Sequence, residues 1–522
     1  MSPVNRDTGN PPGRFLNDRI AILSQLSLAQ RNDKAVGRHK SLHTGRTRWI
    51  RLGATAGNEM LKAIGRYRGG LVVLLLLAAT YLFVACGGGG GSGTAGPAPT
   101  PHPPGPGATF PLHTEAGKRY LIDAQGNPFL IHGDTAWSLI VQLTDAEVDQ
   151  YLDDRKAKGF NTVLVNLIER YFSNSAPNDR LGNAPFAAPG DFSAPNNAYF
   201  ARAASIVQKA ADRNMLVLMT PAYLGFDSAT DNEGWFPEMQ ASGTTTLFAY
   251  GEYLANRFAI YDNIIWLNGG DRTPSSADRI YHNAVADGIR NVRTTWLHSF
   301  HGAPGDAALV AVGAPTPSWL AVNSIYSQAN DVHARGLVQY NNSTMPYFLL
   351  EARYESEPGP PDPVVTTQQL RAQAYEALLA GATGQIFGNN PIWHFQAPTS
   401  LFPYTGTWQT ALNSGGSVSM QRLAALWTAR SWWLLQPQDS MITAGHAARA
   451  SDGSFALAYV TTNVTVQLNQ LAGPNVLARW YDPFTGVYNP INTFPKSASP
   501  FFTTPGNNGN NGADWVLVLE SQ

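Results

Sequence analysis

Cysteine is almost absent. Cys86 stands alone in 522 residues, so no intrachain disulfide can form and a cysteine-based zinc site is excluded. Charge is scarce and balanced: charged residues make up 14%, and 36 basic against 37 acidic side chains leave a formal net charge of -1. A nucleic-acid-binding surface would carry a basic excess, so nucleic acid is excluded as a partner. No apolar run reaches the roughly 20 residues of a comfortable membrane-spanning helix. No glycine-rich phosphate loop follows the first strand-like segment, and nothing else calls for a cofactor or a metal. What is abundant is apolar surface, at 43% of residues, enough for a large core and for two to three domains.

The N-terminal part reads as an address. Leu71–Ala85 is an apolar run of 15 residues, preceded by Lys62, Arg66 and Arg68. That is the length and flanking charge of a signal-peptide core. Small Ala85 directly precedes Cys86, and Gly87–Gly91 follows. This resembles the lipobox of bacterial lipoproteins, which implies lipidation of Cys86, a membrane anchor and an exported protein. Phe83 departs from the leucine usual at that position. Residues 1–59 are basic without periodicity, so translation is expected to start at Met60. Residues 1–86 are therefore read as extension and signal, and 87–110, rich in Gly and Pro, as a tether.

Beyond the tether, apolar strand-like runs alternate with helical stretches. The runs are 128–134, 161–168, 215–221, 263–270, 294–301, 319–328, 346–352 and 384–390. Helices are expected near 197–213 and 241–259, and after Thr144, where Glu147 completes a capping box. Most strands are continuously apolar, as when both faces of a parallel sheet are buried. Eight repeats point to an α/β protein, a (β/α)8 TIM barrel over 111–437, with 415–437 as its last helix. Short alternating runs over 438–522 point to a small C-terminal β-sandwich.

Polar residues gather at the C-terminal ends of these strands, the face where such barrels carry their active sites. They are Asp134, Asn166 with Glu169, Asn268 with Asp271, His298 with His301, Gln328, Glu351, and Asn389 with Asn390. Asp271 follows an apolar strand and two glycines, which let the backbone approach a ligand; Glu351 ends PYFLLE, where an unpaired buried carboxylate would be too costly. Two carboxyls flanking one bond are the machinery of glycoside hydrolysis, so Asp271 and Glu351 are the candidate catalytic pair, at strands four and seven. Bland readings stand beside this one: Asp271 capping a loop or pairing with Arg272, and Glu351 pairing with Arg353. Glu355 competes for the catalytic glutamate. Asp134, Trp137, Asn166, Glu169, Asn268, His298, His301, Gln328, Tyr354, Glu355, Asn389 and Trp393 are read as substrate-binding. The two histidines lack the third ligand of a catalytic zinc site. With 13 Trp and 20 Tyr, rings that stack on sugar faces are available.

Several stretches are longer than single residues and familiar together. Asp123–Trp137 followed by YLDDRKAKGFNTV, then NIIWLNGGDR (263–272), EARYE (351–355) and GQIFGNNPIW (384–393), resemble the apiosidase-like glycoside hydrolases (glycoside hydrolase family 140) over about 115–437. ARWYDPFTG (478–486) is similar to the β-domain that accompanies this barrel, often labelled collagen-binding, and is read as an accessory module. The resemblance implies hydrolysis of a plant cell-wall glycan, with apiose in pectin side chains as the family's known substrate. It also implies Asp271 and Glu351 as the catalytic pair, although Ala-Arg follows Glu351 where a Gly-Glu-Pro-like context is more usual. The alternative is a lipid-anchored glycan-binding protein that has lost catalysis; a carboxyl separation far outside both glycosidase ranges, or no cleft between the two, would favour it.

Overall fold

The computed structural model describes residues 107–226, 233–328, 330–357, 364–397, 403–509 and 512–522. The expected signal segment, Cys86, Met60 and most of the tether lie outside the described residues. Residues 107–110, assigned to the tether, already touch the barrel: the Phe110 ring meets Phe129 edge-on at 6.0 Å, and Asn214 donates to the Ala108 carbonyl. An aromatic side chain at the end of the tether gives it apolar surface to bury.

A short hairpin, β1 (Leu121–Ile122) and β2 (Pro128–Phe129), precedes eight parallel strands. These are β3 (Ile131–Thr135), β4 (Thr162–Asn166), β5 (Leu216–Thr220), β6 (Ile264–Gly269), β7 (Leu297–His301), β8 (Asn323–Tyr326), β9 (Tyr347–Glu351) and β10 (Gly384–Phe387). Each falls within its expected run except β3, which extends one residue further, to Thr135. Their order is β7-β6-β5-β4-β3-β10-β9-β8. The two ends of that order approach each other, where the His298 carbonyl accepts from Ala321 and Val322 at 3.0 and 3.2 Å. The Ser324 hydroxyl also donates to the Phe300 carbonyl at 2.6 Å. The sheet thus closes into a (β/α)8 barrel.

Period-2 alternation sorts each strand into two environments. Leu164, Leu216, Leu218, Ile265, Leu267, Leu297, Phe348, Leu350 and Ile386 fill the interior. Val163, Val165, Val217, Met219, Ile264, Trp266 and Phe300 pack outward against the helices. The helix Asp145–Ala157 begins with the expected capping box of Thr144 and Glu147. The helix Asn197–Asp212 matches its expected span, whereas the next runs Phe236–Arg257, earlier than expected, kinked at Gly243 with φ 72°. The helix expected over 415–437 ends at Thr428.

The strand β11 (Leu435–Pro437) already belongs to a second sheet. With β12 (His446–Ala450), β13 (Phe455–Val460), β15 (Asn475–Tyr481), β16 (Tyr488–Pro495) and β18 (Trp515–Ser521) it forms an antiparallel sheet of order β11-β12-β13-β18-β15-β16. A ribbon of β14 (Val464–Thr465) and β17 (Phe501–Phe502) accompanies it. Alternation decides the packing again. Ala456, Ala458, Val460, Trp515, Leu517 and Leu519 face the ribbon side. Phe455, Leu457, Tyr459, Val516 and Val518 merge with the core around the barrel helices. Tyr459 stacks on Tyr375 of the helix Thr367–Leu379, with centroids 5.0 Å apart. From the same helix, Arg371 Nε and Nη2 each donate to Asp514 at 2.6 Å, fully buried, and the Tyr459 hydroxyl adds a bond at 2.9 Å.

Candidate active site

Three of the candidate polar groups meet at the C-terminal mouth. His301, the last residue of β7, lies on the inward parity of Leu297 and is buried, with 1% of its side chain exposed. Its Nε2 is 2.8 Å from Glu351 Oε2 and 3.4 Å from Asp271 Oδ1. These three atoms lie within 4.8 Å of one another, which bounds the gap between the two carboxylates. Both carboxyls retain a window to solvent, at 17% exposure for Asp271 and 11% for Glu351. Burial works against charge on His301, but the hydrogen bond to Glu351 and the charges of Asp271 and Glu351 outweigh it and raise its pKa. The imidazole therefore links the two carboxylates. The same spacing could hold a cation.

Strict alternation would not deliver Glu351. Phe348 and Leu350 point inward and Leu349 outward, so Glu351 should face the helices. The β8–β9 register shifts at this point, with Ile325 opposite Leu349 and Tyr326 opposite Glu351, leaving Leu350 unmatched. Two successive residues thereby face the barrel, and Ala352 returns to the outside. A bulge re-aims the carboxylate.

Asp271 is delivered by its glycines. Gly269 and Gly270 have φ of 97° and 143°, a region unfavourable to side chains. A Cβ on Gly269 would sit 2.3 Å from the His301 carbonyl oxygen, and one on Gly270 2.5 Å from the Tyr223 ring. The glycines therefore make room for the neighbouring strand and an aromatic ring, not for a ligand as expected from the sequence. Gly270 donates to the His301 carbonyl at 2.9 Å, and Leu224 to the Gly269 carbonyl at 3.1 Å. Arg272 lays its guanidinium 4.4 Å over the Phe236 ring.

Aromatic rings wall the mouth. Trp137 lies 5.7 Å from the His301 ring and 6.1 Å from Tyr223, and its Nε1 donates to the Tyr354 hydroxyl at 3.0 Å. Tyr354 packs against Gly388, where a Cβ would sit 2.5 Å from its ring. Tyr326 stacks on His301 at 5.5 Å and 17°, and Gln328 donates to its hydroxyl at 3.0 Å. Phe172 bridges Tyr223 and Trp393 at 5.8 and 5.4 Å. Burial first, then the charges of Asp271, Glu233 and Glu351, raises the Tyr223 pKa far above its ordinary value, so its hydroxyl stays a donor. Tyr223, Tyr326 and Phe172 were not among the sequence candidates. Tyr326 was findable as the inward end of the sixth strand; Tyr223 and Phe172 sit on loops without periodicity.

Other candidates are placed elsewhere. Asp134 has outward parity, accepts from Tyr151 at 2.8 Å and faces Arg155 at 3.4 Å. Burial raises its pKa to about 6 against the pull of Arg155. Asn268 and His298 also face outward and approach each other at 3.3 Å; burial lowers the His298 pKa to about 3. Glu169 is buried and accepts from the Ser173 backbone at 2.6 Å, fixing the following loop. Glu355, the rival glutamate, is built into a helix start: it accepts from the Gly416 N–H and Asn389 at 2.8 and 3.0 Å, and from Ser414, the N-cap of Gly415–Thr428. Asn389 is consumed in the same cluster. Asn166 keeps inward parity next to Leu164, with its buried Oδ1 lacking a hydrogen-bond partner among the described residues.

The comparisons agree with the barrel fold. Residues 115–434 match the family model described as "Apiosidase-like, catalytic domain". Residues 436–520 match "Putative collagen-binding domain of a collagenase". No curated protein matches the chain. In fold it is similar to a glycoside hydrolase family 5 protein from Bacteroides vulgatus, with a TM-score of 0.69 at 22% identity, covering 79% of this chain and 92% of that one. A second structure titled "Glycoside hydrolase" gives 0.68 at 22% identity, covering 79% and 97%. With most of the barrel matched in family order, this chain belongs to the apiosidase-like glycoside hydrolases.

Proposed function

We propose that the protein hydrolyses a glycosidic bond with retention of configuration, in a glycan of plant cell-wall type. The observation that carries this reading is the carboxylate pair bridged by His301, with facing oxygens no more than 4.8 Å apart. Retaining enzymes hold their carboxyls about 5–5.5 Å apart, whereas inverting ones need roughly 6.5–9.5 Å to admit a water between carboxylate and sugar. Glu351 is the nucleophile: an oxygen attacks the anomeric carbon while Asp271 gives its proton to the departing glycosidic oxygen. Asp271 then takes a proton from water, which displaces Glu351 and restores both groups. His301 orients Glu351 through the 2.8 Å hydrogen bond. Trp137, Tyr223, Tyr326 and Trp393 offer faces on which sugar rings pack.

Asp271→Asn and Glu351→Gln each abolish turnover of the cognate oligosaccharide without loss of folding; near-normal activity in both would overturn the assignment. Proton NMR of the first product formed reports the stereochemistry, and an inverted anomer would overturn the retaining mechanism. A panel of defined pectic and arabinogalactan oligosaccharides, including apiose-bearing ones, names the substrate. We also place the protein at a membrane through a lipid on Cys86, for which the motif around that residue is the support. Mass spectrometry of the mature protein tests this: an unlipidated Cys86 joined to upstream sequence would exclude it.

A further inference from the structure

We propose that His333, Asp439 and His446 form a site for one divalent transition-metal ion of the zinc class, at the seam between the barrel and the C-terminal sheet. The three come from separate segments. His333 is the second residue of the helix Val332–Asn342 that follows β8, Asp439 opens the short turn Asp439–Met441, and His446 opens β12.

The donor atoms converge. Asp439 Oδ2 is 3.5 Å from His333 Nε2 and 3.5 Å from His446 Nδ1, and all three lie within 4.8 Å of one another. A tetrahedral zinc with bonds near 2.0–2.1 Å sets its ligand atoms about 3.3 Å apart, so the two histidine–carboxylate distances need only a small contraction. The carboxylate is already aimed: Asp439 Oδ1 accepts the Ala447 N–H at 2.8 Å, leaving Oδ2 turned to the imidazoles.

The independent observation is the state of the two nitrogens. The His333 side chain is 4% exposed, yet beyond the 3.5 Å approach to Asp439 neither its Nε2 nor His446 Nδ1 has a hydrogen-bond partner among the described residues, although both atoms are buried. A buried nitrogen left unpaired is costly, and a shared cation would satisfy both at once. Two imidazoles and one carboxylate suit zinc, cobalt, nickel or copper, whereas calcium and magnesium prefer all-oxygen sets. The rings now stack at 3.7 Å and 19°, so coordination requires one of them to turn out of parallel. His446, with 35% of its side chain exposed at the first residue of β12, has the room to do so. Bound there, the ion ties the barrel helix to the second sheet.

The test uses full-length, tag-free protein stripped with chelator, titrated with Zn2+ by calorimetry and with Co2+ by its visible absorption. Because the catalytic carboxylates also cluster around a histidine, Glu351→Gln serves as background. Wild type and Glu351→Gln should each bind one ion, with a Tm that climbs as free Zn2+ rises. His446→Ala and Asp439→Asn should lose at least tenfold in affinity together with that Tm increment. Isotherms unchanged by both substitutions, binding lost only in Glu351→Gln, or a Tm insensitive to Zn2+ in wild type would each overturn the proposal. His446 is surface-accessible enough for its alanine variant to fold, and the Co2+ spectrum of the wild type reads nitrogen ligation without any variant.

Discussion

Replacing Gly270 by alanine tests whether the site is built as described. The new Cβ would lie 2.5 Å from Tyr223 Cδ2 and 2.7 Å from the Leu224 nitrogen. Ordinary carbon contacts are about 3.5–4.0 Å, so something must yield by about 1 Å. Tyr223 cannot retreat easily, since Trp137 and Phe172 pack against it. The Leu224 nitrogen is held by the Gly269 carbonyl. The segment carrying Asp271 therefore moves. Backbone strain at φ 143° contributes about 1–3 kcal/mol and the overlap about 1–3 kcal/mol more, a destabilisation of ~2–6 kcal/mol if the fold resists. A misplacement of about 1 Å at a reacting group costs on the order of 100-fold in rate. Steady-state kinetics on the cognate oligosaccharide should show kcat/KM reduced about 100-fold, with urea unfolding giving the stability loss. Activity within threefold of wild type and an unchanged unfolding midpoint would refute the account of how Asp271 is placed.

The His301 pKa is raised above 6.5, so the stabilisation it brings is complete below that value and is lost as pH rises through its folded-state pKa. The basic limb of the kcat/KM profile should follow that loss, and His301→Gln should remove the limb; an unaltered limb would assign it to another group. Glu355→Gln should lower stability by about 1–2 kcal/mol through the weakened start of Gly415–Thr428, while the folded variant keeps kcat, as read by calorimetry and kinetics. Asp514→Ala leaves Arg371 buried and uncompensated, a loss of about 3–5 kcal/mol in denaturant unfolding, and Arg371→Met with Asp514→Leu should recover much of it. His298→Phe should leave KM unchanged in substrate titrations, because that ring faces the helices.

The eight barrel strands were legible because a parallel sheet buried on both faces writes continuous apolar runs. Side-chain direction is equally legible in the strand period. Asn268 and Asp271, like His298 and His301, stand three apart, so within a regular strand only one of each can face inward. Applying that parity removes Asp134, Asn268 and His298 from the rim. It would also have removed Glu351, which the bulge opposite Tyr326 restores. A bulge is set by pairing between distant strands and leaves no local mark in PYFLLEA. The pattern likewise carried the last helix too far, since the residues after Thr428 are as apolar as those before and only sheet pairing claims Leu435–Pro437. Glu355 was ambiguous for a related reason: its partners, Gly416 and Ser414, are about 60 residues away in the chain.

The C-terminal sheet has one apolar face on the ribbon side and the other on the barrel helices. In genetic terms the two segments are not interchangeable cassettes. A recombination or an expression boundary drawn between residues 434 and 436, where the two family models meet, would strip the cover from both partners and invite aggregation. The barrel and its companion must therefore be inherited, and engineered, as one unit. Any partner of the second domain has to be met at its outer surface, where β16 mixes exposed and half-buried residues along an open edge.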